Sequence, residues 1–335
     1  MSKNPAESPM PNAQQPLTWI LTDGTVGMRI QCLGLAKAAG LTPIVKRIHP
    51  SLLLRALPVL GRVPGVPATA GGDPLVAPWP DVVISCGRRT AGAALAVKRL
   101  SGGRAFVAHI QDPRLNPRHF DLLVVPEHDP TRGRNVVTTL GALNPHDPEI
   151  LAQAARQWEV EAEGLRRPLV AVMVGGSNKR YDFSPDAVAR FVAQLRDVAD
   201  AGAGLLVATS RRTDEATRAA LRDGLAGRAA IVWTGDGENP YLGFLALADA
   251  LVVTSDSVNM ASEACATGKP VHIASVEPES GRLAAFHERL RAAGHSRPFA
   301  GRIETWSHPP LDETPRVGEI LRRRLADAGL LPGRE

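Results

Sequence analysis

The sequence predicts an α/β protein built as two doubly wound parallel sheets, and three observations carry that expectation. The chain has 335 residues, more than one ordinary hydrophobic core serves, so two domains are favoured. Short apolar runs ending in polar, glycine-bearing or hydroxyl-rich loops recur along it, as in LTWILTDG (17–24) and ADALVVTSDS (248–257). Most of these runs are followed by stretches with helical spacing, and strands that alternate with helices make a parallel sheet covered on both faces.

Taken in order, MSKNPAESPMPNAQQP (1–16) has no continuous apolar segment and reads as a disordered tail rather than a signal peptide. The first Rossmann-like domain spans 17–148. It opens with the strand and loop of LTWILTDG and the helix TVGMRIQCLGLAKAAG (25–40), which closes on glycine. PDVVISCGRRTAGAALAVKRL (80–100) repeats the unit, and RAFVAHIQDPR (104–114) and FDLLVVPEHD (120–129) add strands with little room for helices after them. EILAQAARQWEVEAEGL (149–165) has the spacing of a linking helix. A second Rossmann-like domain over 166–310 begins with RRPLVAVMVGGSNKRY (166–181) and continues through AGLLVATSRRT (203–213), RAAIVWTGDGENP (228–240), ADALVVTSDS and GKPVHIASV (268–276). Residues 311–335 read as a C-terminal helix and tail.

The net charge of +5 comes from scattered arginines, and aromatics are only 4% of residues, so no basic run interleaved with stacking rings argues for nucleic acid. Such a surface suits phosphorylated ligands or an anionic membrane face. Cys32, Cys86 and Cys265 are odd in number and form no CxxC pair, which fits a reducing cytoplasm and gives no metal site. Nothing approaches the roughly 18 consecutive apolar residues of a spanning helix. PIVKRIHPSLLLRALPVLGRVPGVP (43–67) alternates basic with bulky apolar residues; it reads as a peripheral contact with the inner membrane face or as a partly buried helix with cationic edges.

In doubly wound sheets ligands gather beyond the carboxyl ends of the strands, where loop amides and helix N-termini converge. The most informative such end is LVVTSDSVNMASEACATGKPVHI (251–273). Ser255, Asp256, Ser257 and Asn259 surround the start of a helix whose N–H groups suit a phosphate, and Glu263 further along suits the two hydroxyls of a ribose. The competing explanation for one of the small polar residues is plain helix capping. In GGSNKR (175–180), Gly175 and Gly176 allow close approach to the backbone while Ser177 and Asn178 offer donors, although the spacing is not that of a Walker loop. Arg211 and Arg212 suit a diphosphate, with Arg88 and Arg89 as counterparts in the first domain. Asn239 contacts a base or phosphate, or simply starts a helix. For a catalytic base the first choice is Asp23 and the second His109, each with a bland alternative as turn residue or core histidine. No GxSxG elbow and no HExxH occurs.

The succession SDS, NM, SEA and TGKPV resembles the nucleotide-binding helix of GT-B glycosyltransferases, in which the matching glutamate binds ribose. More specifically, WILTDGTVGMRIQCLGLAKAAG, SCGRRTAGAALAVKR, HIQDPR, NPH, VGGSNKRY, TSRRT and NPYLGFLALADALVVTSDSVNMASEACATGKPV resemble, in order, the blocks of the mitochondrial-fission "elongated mitochondria"-like family, here a bacterial member. This covers nearly the whole of 17–276. The resemblance implies a GT-B-like pair of Rossmann-like domains facing across a cleft. With that fold, the site residues above lead to an inverting transferase that takes a sugar from a nucleotide-sugar donor to an unknown acceptor, a lipid-linked one among the candidates; the absence of a DxD-like carboxylate pair makes it metal-independent, with no cofactor beyond that substrate. The alternatives are a non-catalytic adaptor for membrane division, as in plant relatives, and a nucleotide-sugar epimerase.

Overall fold

The computed structural model describes residues 15–177, 183–276 and 281–332. Two compact units account for the chain: unit 1 comprises 1–124, 132–137 and 315–335, and unit 2 comprises 125–131 and 138–314.

In chain order the first elements are β1 (Thr18–Thr22), α1 (Val26–Ala38), β2 (Pro43–Arg47), α2 (Leu52–Ala56), β3 (Val82–Cys86), α3 (Arg88–Leu100), β4 (Phe106–Ile110), β5 (Leu122–Pro126) and β6 (Val136–Thr139). There follow α4 (Pro148–Ala162), β7 (Leu169–Val174), α5 (Pro185–Asp200), β8 (Gly204–Thr209), α6 (Glu215–Gly224), β9 (Ala230–Trp233) and α7 (Tyr241–Leu247). The series ends with β10 (Ala250–Thr254), α8 (Val258–Cys265), β11 (Val271–Ala274), α9 (Gly281–Ala292), β12 (Arg297–Pro298) and α10 (Glu313–Asp327).

The first sheet is ordered β2-β1-β3-β4-β5-β6 and the second β12-β11-β10-β7-β8-β9. From β2 through β5, and across the whole second sheet, neighbouring strands run parallel. Their composition explains the choice. VVISC of β3, LVAVMV of β7 and ALVVT of β10 are dominated by β-branched and aliphatic residues and buried at every position, the signature of strands covered on both faces.

In unit 2 one face of the sheet packs Val170, Val172 and Val207 against Phe191 and Leu195 of α5. The other packs Ala171, Leu206 and Leu251 against Phe244 of α7 and Phe286 of α9. Helix α4 starts where the Asp147 side chain accepts the Ile150 N–H at 2.9 Å, a standard N-cap. It lies on α7 so closely that a Cβ at Gly243 would sit 2.4 Å from Trp158. In unit 1, Gly318 of α10 meets Ala38 and the Arg324 guanidinium donates to the carbonyls of Asp121 and Arg134 at 3.0 and 3.1 Å.

Each strand order contains one reversal. In the first sheet it falls between β1 and β3, and in the second between β7 and β10. Connections leave to opposite faces at such a point, so the two adjacent loops part and open a crevice at the carboxyl ends of the strands. In unit 2 those loops are Gly175–Ser177 and Ser255–Ser257, two segments singled out from the sequence.

Candidate functional site

At the unit 2 reversal the organising group is the Asp256 carboxylate, whose side chain has no solvent exposure. Its Oδ1 accepts the Thr254 hydroxyl at 2.7 Å, and its Oδ2 accepts the Gly176 N–H at 3.3 Å and an Arg212 guanidinium N–H at 2.6 Å. Arg212 also donates to the Gly176 carbonyl at 2.9 Å, the Gly175 N–H donates to Thr254 Oγ1 at 2.8 Å, and the Thr213 hydroxyl donates to the Gly175 carbonyl. Loops after β7, β8 and β10 are thus tied into one network around the buried Asp256 carboxylate, whose ion-pair partner Arg212 is 41% exposed. Burying such a carboxylate is tolerable because each oxygen has a donor and the charge has a counter-charge.

This network corrects the expectation for the two glycines. A Cβ at Gly175 would lie 2.1 Å from Asp256 Oδ1, and one at Gly176 would lie 2.1 Å from the Arg212 carbonyl oxygen. Their bare backbone is filled by the protein's own atoms, so the fold requires glycine there before any ligand does. Arg212 is likewise engaged by Asp256, and its charge is largely compensated. Ser177 accepts the Phe183 N–H at 3.1 Å; Asn178 lies outside the described residues.

Helix α8 begins as a capped helix. The Ser257 side chain accepts the Met260 N–H at 3.4 Å, so capping accounts for that serine. Ser255 is buried, with its N–H on Ala274 and its carbonyl accepting from His287 Nε2 at 2.8 Å. Asn259, in the first turn, is half-buried. The first turn of α8 presents the positive end of its dipole beside Gly175–Ser177, an arrangement suited to an anion.

Glu263 stands on the same helix, five residues beyond its start, or about 7.5 Å along the axis at ~1.5 Å per residue. It is 8% exposed. The Tyr241 phenol donates to its Oε2 at 2.6 Å, and His146 Nε2 lies 3.9 Å from its Oε1. Burial raises the Glu263 carboxyl to about 7, opposed by the Tyr241 hydrogen bond. Burial and the neighbouring carboxylate push the Tyr241 phenol well above its ordinary value, which keeps it a donor. Asn239 is exposed and its Oδ1 accepts the Tyr241 N–H at 3.0 Å, the helix-start role.

Tyr241 and His146 are the partners that sequence reasoning missed as site residues. Each stands in a short polar block, NPY and NPH, whose proline marks a chain turn. Neither block announces that both rings converge on Glu263. Arg211 parts from Arg212 and lines a separate open hollow of about 260 Å³ with Ser210, Glu215, Arg218, Trp233 and Asp236. Lys269 of the TGKPV block donates to the Leu245 and Ala246 carbonyls at the end of α7, and burial lowers its ammonium to about 8.

In unit 1 the reversal holds Asp23 and Arg89. The Asp23 carboxylate accepts the Thr25 N–H at 3.0 Å and the Arg89 guanidinium at 3.3 Å. Burial is the largest single influence on Asp23 and raises it, but the bonds from Thr25 and Arg89 prevail and hold it below its ordinary value. Arg88 turns to the Ala56 carbonyl at 3.3 Å.

His109 is a correction. It lies inside β4 rather than in the loop beyond, is fully buried, shares a 2.8 Å hydrogen bond with Ser85 and stacks on Phe120. Burial lowers its imidazole to about 3. A ring so enclosed and so weakly basic is a core residue, and it does not take a proton from an acceptor at neutral pH.

Among solved structures the chain is similar to the UDP-GlcNAc 2-epimerase of Methanocaldococcus jannaschii, with a TM-score of 0.56 and 14% identity over 91% of this chain and 98% of that one. It is similar to S. aureus MnaA, solved with UDP, with a TM-score of 0.57 and 13% identity over 96% and 99% of the two chains. The spinosyn forosaminyltransferase SpnP gives a TM-score of 0.50 and 14% identity over 94% and 96%. At these identities the likeness shows the fold, which is GT-B. By sequence, the chain is 33% identical to the mitochondrial fission protein ELM1 of Arabidopsis thaliana over 277 residues, 75% of this chain and 65% of the plant protein. It is 28% identical to the uncharacterized protein RP120 of Rickettsia prowazekii over 282 residues, 72% of this chain and 79% of that one. The chain therefore spans just under two-thirds of the plant relative's length. The model of the mitochondrial fission ELM1 family matches residues 26–325, and the chain belongs to that family.

Proposed function

We propose that unit 2 binds a nucleotide sugar at the β7/β10 reversal and that the protein is a metal-independent, inverting glycosyltransferase acting on an unknown acceptor. The observation that carries the proposal is one arrangement. The start of α8 and the Gly175–Ser177 loop flank the crevice, and Glu263 stands further along the same helix, where a ribose joined to a diphosphate at the helix start would extend. Glu263 Oε2 is engaged by Tyr241, so the ribose hydroxyls would meet Oε1, on the His146 side. The diphosphate would be met chiefly by loop and helix amides, since Arg212 is already compensated by Asp256. That solved proteins of the same fold include a UDP-bound chain and a forosaminyltransferase supports the ligand class.

A non-catalytic adaptor that retains the fold is the second reading. One observation favours it: Asp23 is held as a carboxylate by Arg89, and His109 is sealed in the core, so neither is set up as a strong base. The name of the plant relative, a mitochondrial fission protein, points the same way. An epimerase would share the nucleotide site and form product without an acceptor.

The test is thermal unfolding with UDP, GDP, ADP and CMP species and their sugar conjugates. At least one is expected to raise the transition, as any ligand selective for the folded state does. Glu263→Ala is expected to remove the effect. No shift with any of them would count against both enzyme readings and leave the adaptor.

A further inference from the structure

We propose that the strap of unit 1 over residues 52–63 docks on the surface of an anionic lipid bilayer. Ten large apolar side chains are exposed among the described residues, and five of them, Leu52, Leu53, Leu57, Val59 and Val63, fall in this stretch of twelve. Leu52 is 78% exposed and Leu57 55%. Apolar surface concentrated in this way marks an interaction site, where scattered single residues do not.

The core has no use for these side chains. Helix α2 and the 3-10 turn Pro58–Arg62 that follows it are anchored by other residues of the strap, since Leu54, Pro58 and Gly61 are buried. A Cβ at Gly61 would lie 2.0 Å from the Gly92 carbonyl oxygen of α3, and one at Gly92 would lie 3.1 Å from Leu54. Backbone contact this close fixes the strap on α3. The inward positions are filled and the leucines outside them are held in solvent on a rigid support.

Charge decides the occupant. Between Asp23 and Asp73 the chain carries Arg29, Lys37, Lys46, Arg47, Arg55 and Arg62 and no carboxylate. Helix α3, on which the strap rests, has four Lys and Arg residues and no Asp or Glu. Of the two carboxylates that bound this stretch, Asp23 is paired with Arg89 and Asp73 accepts the Arg47 N–H at 2.7 Å. Arg55 and Arg62 are exposed among the leucines. Exposed leucines flanked by uncompensated cations match the two signals of peripheral membrane binding, insertion of apolar side chains at the headgroup boundary and attraction to anionic lipid. No helix among the described residues is long and apolar enough to cross a membrane, so the contact is peripheral. The inference is independent of what unit 2 binds.

The experiment is co-sedimentation of the full chain with vesicles of phosphatidylcholine alone and of phosphatidylcholine with phosphatidylglycerol, at low and high salt. The chain is expected to pellet with the anionic vesicles, less so at high salt, and to remain in solution with the neutral ones. Arg55→Gln is expected to weaken the partition about five-fold, the share of one surface cation, and Leu52→Glu/Leu57→Glu by at least ten-fold. These positions are exposed, so each variant is expected to unfold at the wild-type temperature, which shows that lost binding is not lost folding. Wild-type protein that stays in solution with anionic vesicles would overturn the proposal. So would binding that both variants leave unchanged, or a vesicle-independent dimer that the leucine variant dissolves without any lipid binding.

Discussion

The Tyr241 phenol donates a 2.6 Å hydrogen bond to a Glu263 carboxylate that burial has raised to about 7. The folded protein therefore holds the Glu263 proton more tightly than the unfolded chain, whose carboxyl has its ordinary value near 4.5. Stability from the neutral carboxyl is complete below pH 4.5 and lost as the pH rises through about 7. The window corresponds to about 3 kcal/mol at ~1.4 kcal/mol per pH unit. Glu263→Gln, neutral throughout, is expected to lose less stability than wild type between pH 5 and pH 8, as measured by urea unfolding at both values.

The same hydrogen bond links ligand affinity to pH. Ribose hydroxyls donating to Glu263 would favour the ionised carboxylate, so nucleotide affinity is expected to rise from pH 6 to pH 8. Tyr241→Phe removes a donor to that carboxylate and should move the midpoint of the rise upward. Calorimetric titration across the range checks both statements, and affinity that falls with pH would contradict ribose binding by the carboxylate.

Much of the architecture was legible in the sequence. The continuous apolar runs of β1, β3, β7 and β10 and the polar residues that end them mark where these strands stop, because strands buried on both faces leave a simple pattern. The order of strands was not legible, since it depends on which sheet edge each crossover joins. Nor was the role of Asp256. Its local pattern, Ser-Asp-Ser before a helix, is that of a cap, and only the reversal brings Gly175 and Gly176, about eighty residues earlier, against its carboxylate. For His109 the sequence leaves base and core histidine both open, and its neighbours in RAFVAHIQDPR favour the core. Phe, Val and Ala before it and Ile after it continue the strand, and the five positions Phe106–Ile110 are buried together.

The packing of Gly175 on Asp256 predicts non-additive mutations. Gly175→Ala places a methyl 2.1 Å from Asp256 Oδ1, and overpacking of this kind costs about 1–3 kcal/mol or more. Asp256→Ala removes the acceptor that Arg212, Thr254 and the Gly176 N–H share; Arg212 is 41% exposed and keeps the Gly176 carbonyl, so the cost is that of the buried donors left behind, about 1–3 kcal/mol. In the double variant the methyl enters space that the carboxylate vacated, so the alanine at position 175 is expected to cost under ~1 kcal/mol there. A urea-unfolding cycle of the four proteins measures the coupling.

His109 supplies a prediction that separates a core histidine from a catalytic one. Its imidazole is lowered to about 3 by burial, so its ring resonances are expected to stay fixed from pH 8 to pH 5, whereas an accessible general base near neutrality would titrate in that interval. Because the folded state resists protonation, His109 contributes stability that is present above about 6.5 and lost as the pH falls toward 3. That amounts to about 5 kcal/mol over the full span. Replacing it with leucine is then expected to lower the acid-unfolding midpoint while leaving nucleotide binding in unit 2 unchanged. A ring that shifts between pH 8 and pH 5, or a leucine variant that unfolds in acid where wild type does, would return His109 to the list of candidate bases.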